Sequence, residues 1–74
     1  MRLSELEKGD RATILKIETD VSLKERLVSF GVARGSELTI EACSLGKQTI
    51  EIMVDDTLIG LRGEEASKIE VEKI

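Results

Sequence analysis

Histidine, proline, tryptophan and tyrosine are absent from this 74-residue chain, and phenylalanine and cysteine occur once each. Without histidine no Ser–His–Asp or Cys–His arrangement can form, and the commonest general base of enzymes is missing. The lone Cys43 cannot close an intramolecular disulfide, which points to the cytosol, and it cannot supply a four-ligand Cys/His zinc site. Without proline, the six glycines must provide the special backbone angles of the turns. Phe30 is the sole aromatic, so the core has to be built from Ile, Leu and Val. No apolar run approaches the roughly 18–20 residues of a membrane-spanning helix, and no signal-type apolar region follows Met1. The net charge of −4 comes from interleaved acids and bases, which argues against nucleic-acid binding through clustered Lys/Arg.

What remains is enough for one small domain over residues 1–74. Residues 22–35 carry the strongest local signal, a short helix with both ends marked. Ser22 and Glu25 have capping-box spacing. Leu23, Leu27 and Phe30 recur at i, i+4 and i+7 and are expected to face the core. Gly31 stands where a left-handed residue ends a helix, with Val32 placed to fold back on the last turn. Gly35 marks a further turn before the next strand.

The rest of the chain alternates. Arg11 to Glu18 reads as a strand whose alternation is blurred by burial on both sides. Residues 37–42 alternate with Leu38, Ile40 and Ala42 inward, and residues 49–54 with Ile50, Ile52 and Val54 inward. Asp55-Asp56 is a tight turn, Thr57 to Leu61 returns as a strand, and Ile69 to Ile74 alternates with Ile69 and Val71 inward. Leu3 and Leu6 anchor a short N-terminal turn, Leu45 sits at a loop tip, and residues 63–68 are long enough for a single helical turn. Short strands at near-regular spacing predict a mainly β fold: a five-stranded barrel with one short α-helix and a helical turn near the C-terminus.

No pattern calls for catalysis or a cofactor. Gly46-Lys47 lacks the earlier glycine and the following Ser/Thr of a phosphate-binding loop. Asp55, Asp56 and Glu51 read as solvated turn residues rather than cation ligands, Glu64-Glu65 suits a helix start, and Cys43 reads as an inert, partly buried small residue. Two side chains stand out for binding: Val28, off the helix stripe, and Leu45, hard to bury at a loop tip. Exposed together, they would edge a partner patch.

Read in order, Leu3-x-x-Leu6-x-x-Gly9-Asp10-x-Ala12-x-Ile14, Arg26-Leu27-x-x-Phe30-Gly31-Val32-x-x-Gly35, Leu45-Gly46 and Ile59-Gly60-Leu61-Arg62-x-x-Glu65-Ala66-x-x-Ile69-x-Val71 resemble the FeoA family of bacterial ferrous iron uptake, over nearly the whole chain. The resemblance implies an SH3-like small barrel. It also implies a cytoplasmic adaptor, not an enzyme, that works with FeoB, a membrane transporter whose cytosolic part carries a GTP-hydrolysing domain. Recruitment to the inner face of the membrane would then come through that partner, without insertion of this chain. Family-level association with transition metals is implied as well, although no metal ligand set is read from these residues. The helix block of Arg26, Leu27 and Phe30, with Val28 and Leu45, is the expected partner-binding set, and the same patch offers a route to homo-oligomers. Two departures stand out: Ala33-Arg34 where the family commonly has proline, and Gly46-Lys47-Gln48 where it often has Gly-Asp-Pro. The alternative reading is a stand-alone SH3-like regulatory domain related to the C-terminal domain of metal-dependent transcription repressors; with no helix-turn-helix, such a domain would not read DNA itself.

Overall fold

In the computed structural model, which describes residues 1–74, the alternating segments become five antiparallel strands. They are β1 (Arg11–Ile17), β2 (Glu37–Cys43), β3 (Thr49–Val54), β4 (Thr57–Arg62) and β5 (Ile69–Lys73). Helix α1 (Val21–Ser29) joins β1 to β2, and the single-turn helix α2 (Gly63–Ala66) joins β4 to β5. Strand order is β4-β3-β2-β1-β5. The sheet curls around one cluster of 17 buried side chains, all of them hydrophobic. Strands β4 and β5 are its two edges and do not pair with each other. Ala66 of α2 and Leu3 and Leu6 of the N-terminal turn are buried between them. The outer side of β5 is covered in turn by the first residues, with a bridge from Arg2 to Glu70 and the Val71 N–H donating to the Met1 carbonyl at 2.7 Å.

Two β-bulges correct the expected alternation. Between β2 and β3 the register runs Ile40↔Ile52 and then Ala42↔Glu51, leaving Glu41 as the extra residue. Beyond it the faces exchange: Ala42 turns outward, and Cys43, opposite Ile50, packs half-buried against the core. Between β1 and β5 the register runs Ile14↔Val71 and then Lys16↔Glu70, so Leu15 is the extra residue. The irregular pattern of β1 therefore comes from a bulge, and burial on both faces is not its cause: Leu15 is exposed while Ile14 is buried and Ile17 packs against the core.

Helix α1 is also capped differently from the expectation. Its cap lies two residues earlier, with Asp20 in extended backbone (φ −69°, ψ 166°) accepting from the Leu23 N–H at 2.9 Å. Asp caps as well as Ser, so Ser22 and Glu25 lie inside the helix and form no capping box. At the other end Val32 N–H donates to Leu27 O and Gly31 N–H to Val28 O, both at 2.9 Å, with Gly31 at φ +84°. That is a Schellman ending, and it buries Val32 completely against Leu27. Phe30, at the cap itself, is left 46% exposed. The inward position expected for Phe30 is thus taken by Val32, which the reversal at Gly31 folds back onto the last turn.

Candidate functional site

A groove of about 470 Å³ opens between α1 and β1, and both of its walls follow from features just described. The β1 wall is the bulge, which turns Leu15 outward beside Ile17. The helical wall is the face of Lys24 and Val28, one turn apart and offset from the buried Leu23 and Leu27. The turn after α1 closes one end with Ala33 and Arg34. Backbone bonds lock this turn to β1: Gly35 N–H donates to Ile14 O at 2.7 Å and Ile14 N–H to Ser36 O at 2.9 Å. Within the turn, Ala33 N–H donates to the Ser36 hydroxyl at 3.0 Å. Lys16 and Glu70, an opposed pair across the β1–β5 register, complete the lining. The result is an aliphatic floor bordered by three cations and one anion.

A second, wider hollow of about 760 Å³ has no hydrophobic lining and is bounded by Ser4, residues 46–49 and residues 62–64. Several polar groups around it are used by the fold. Lys47 Nζ donates to the Ser4 carbonyl at 3.1 Å and pairs with Glu7 at 2.9 Å. Gly63 N–H donates to Gln48 O at 2.9 Å, and Glu65 accepts from the Arg62 N–H at 2.8 Å.

Of the five residues expected to bind a partner, one lines the groove. Val28 lies in the groove and is 55% exposed. Leu27 is fully buried, which corrects its place in the set: it fixes the helix and offers no surface. Arg26 reaches Glu65 of α2 with both carboxylate oxygens at 3.3 Å, tying the two helices together. Phe30 is exposed at the helix end, outside the groove lining. Leu45, 98% exposed on the turn Leu45–Lys47, lines neither hollow. Leu15, Lys24 and Arg34 were missed. The signal for Leu15 was present in the adjacent apolar pair Ile14-Leu15, which breaks the alternation of a strand that should bury every second side chain.

Elsewhere, two carboxylates are held below their ordinary values by local partners. Asp10 is held below its ordinary value, first by the Glu7 N–H at 2.8 Å and then by Lys73. Glu18 is held low by the Arg2 guanidinium at 2.7 Å, which in turn raises Arg2. Asp55 takes left-handed backbone (φ +54°) in the two-residue turn between Val54 and Thr57, a structural role. No three His, Cys, Asp or Glu side chains are gathered as a metal would need.

Comparison with known proteins places this arrangement. A solution structure of FeoA from Chlorobium tepidum superposes with a TM-score of 0.94 at 31% identity, over the whole of this chain and 70% of that one. A zinc complex of Stenotrophomonas maltophilia FeoA, described as a procaryotic SH3 domain protein, gives 0.82 at 26% identity, over 97% of this chain and 89% of that one. A manganese-dependent transcriptional repressor gives 0.89 at 23% identity over 41% of its length, a likeness of fold alone. In sequence, a putative Fe(2+) transport protein A of Campylobacter jejuni is 38% identical over 74 residues, the whole of both chains. A Porphyromonas gingivalis protein described as a fusion of Fe(2+) transport protein A and the Fe(2+) transporter FeoB is 36% identical over 74 residues, all of this chain and 9% of the fusion. The FeoA domain model matches residues 1–73, and with that match the chain, an SH3-like five-stranded sheet with two short helices, belongs to the FeoA family.

Proposed function

We propose that this chain is an adaptor that docks on the cytosolic part of an FeoB-type ferrous iron transporter and modulates its activity. The observation that carries this reading is the P. gingivalis relative, in which a region 36% identical to this whole chain shares one polypeptide with the transporter. Tethering two modules raises their effective concentration to the millimolar range, so the fusion serves an interaction that a separate chain would make through a modest surface. A chain without histidine and with an unbroken aliphatic core acts by preferring one state of a partner over another. Cytoplasmic location and recruitment to the inner membrane face follow from the same reading. The test is binding of the chain to the whole transporter in nanodiscs, nucleotide-free and loaded with GDP or a GTP analogue. Binding whose strength depends on the nucleotide is expected; no binding in any state overturns the proposal.

The alternative, a regulatory domain acting on a metal-dependent repressor, draws support from the shared fold. It calls for association with a repressor in place of the transporter, so the same measurement with repressor as ligand separates the two.

A further inference from the structure

We propose that the groove between α1 and β1 receives an acidic, aliphatic-bearing segment of the transporter, an inference that rests on the docking role above. Charge is the first argument. The chain carries −4 overall, yet this hollow sets Lys16, Lys24 and Arg34 against Glu70 alone. Lys24 and Arg34 make no ion pair within the chain, whereas most of its other cations do. Complementary potentials of this kind select partners and speed encounter.

The second argument is the floor. Leu15 and Val28 stay about half exposed inside concave walls, at 40% and 55%, although the fold buries 17 other aliphatic side chains almost fully. A volume of about 470 Å³ suits the side chains of an inserted segment. A bilayer is the poorer match, because it takes up protruding apolar groups, whereas Leu15 and Val28 lie within a concavity. Preformation is the third argument: the backbone bonds between β1 and residues 35–36 hold both walls before any partner arrives.

The experiment uses the whole chain and the whole transporter in nanodiscs of neutral and anionic lipid, with empty discs of the same lipid beside them. Two charge-reversal pairs are compared: Lys24→Glu with Arg34→Glu in the groove, and Lys8→Glu with Lys68→Glu outside it. Each pair changes net charge equally and alters exposed side chains that make no ion pair within the chain. The groove pair is expected to weaken binding at least about ten-fold and the outside pair less than about three-fold. Equal weakening by both pairs, or by neither, overturns the groove and leaves the docking role standing. Equal binding to empty and loaded discs reassigns the chain to the membrane and overturns both readings, as does failure to bind at all.

Discussion

The two hollows on this small sheet differ in their linings, one wholly polar and the other half aliphatic, and in how far the fold uses the cations around them. Around the polar hollow, the Lys47 ammonium meets a backbone carbonyl and a carboxylate, and the Gly63 N–H meets a carbonyl, bonds that hold residues 46–49, α2 and the N-terminal turn together. Around the groove, two cations and two aliphatic side chains are left over. The difference shows where folding uses its polar groups and where it leaves them available. Neighbouring positions in one helix carry the same division: Leu27 is wholly buried, while Val28 beside it is mostly exposed.

That contrast is broken most forcefully at Leu27. Leu27→Ala removes a side chain at 0% exposure and should destabilise the chain by about 2–5 kcal/mol, a large part of what so small a domain holds. Val28→Ser should stay within about 0.5 kcal/mol. Thermal unfolding of the two variants is the check, and similar melting temperatures would mean that α1 does not bury the face described here.

Next in size is Gly63, beside the polar hollow. Its backbone angles are ordinary, so loss of glycine flexibility alone would make alanine mildly stabilising. A Cβ there, however, would run into the carbonyl oxygen of Lys47, an atom fixed in the backbone. Gly63→Ala should therefore destabilise by about 1–3 kcal/mol, as overpacking does. A rise in melting temperature would show that the polar hollow yields more readily than its bonds imply. A smaller effect separates the two candidate helix caps. Asp20→Ala should remove about 1 kcal/mol with the loss of its bond to Leu23, and Ser22→Ala should change almost nothing; urea unfolding of the pair decides.

Much of this was legible in the residues. All five strands end within a residue of the segments read as strands, three of them from period-two alternation, since each buries one face against a single core. The helix ending was legible too, because Gly31 followed by an apolar residue specifies a Schellman turn. What escaped was anything decided by one extra residue. Alternation cannot locate a bulge, since the signal for Glu41 or Leu15 is only a missed beat, and each bulge exchanges the faces beyond it. The groove wall at Leu15 was therefore hidden. Phe30 misled for a related reason: helical spacing counts it to the buried face, but it is the cap residue, and Val32, brought back by the turn at Gly31, fills that place. Residues such as Lys24 and Arg34 carry no local mark, and their significance comes from the β1 wall that folding places opposite them.

The gentlest test concerns the edge of the groove. Arg2 donates to Glu18 at 2.7 Å, while Lys16 lies 3.6 Å from the same carboxylate. The arginine takes the better position and leaves Lys16, on the groove rim, more weakly paired. Because the folded state holds Glu18 below its ordinary value, this contact stabilises the fold above the unfolded pKa, and the contribution is lost as pH falls through the folded one. Both partners are more than a third exposed, so salt screens the effect and its size is small. In Arg2→Ala the Glu18 carboxyl should titrate closer to the ordinary glutamate value, while Asp10, held by the Glu7 N–H and Lys73, should not move. Carbon-detected NMR titration reads both groups in one sample. Freed from Arg2, Glu18 can turn to Lys16 and neutralise part of the rim, so the variant should also bind the transporter slightly less well than the native chain. Unchanged titration of Glu18 would mean that the short contact is not kept in solution and that Lys16 already has its partner.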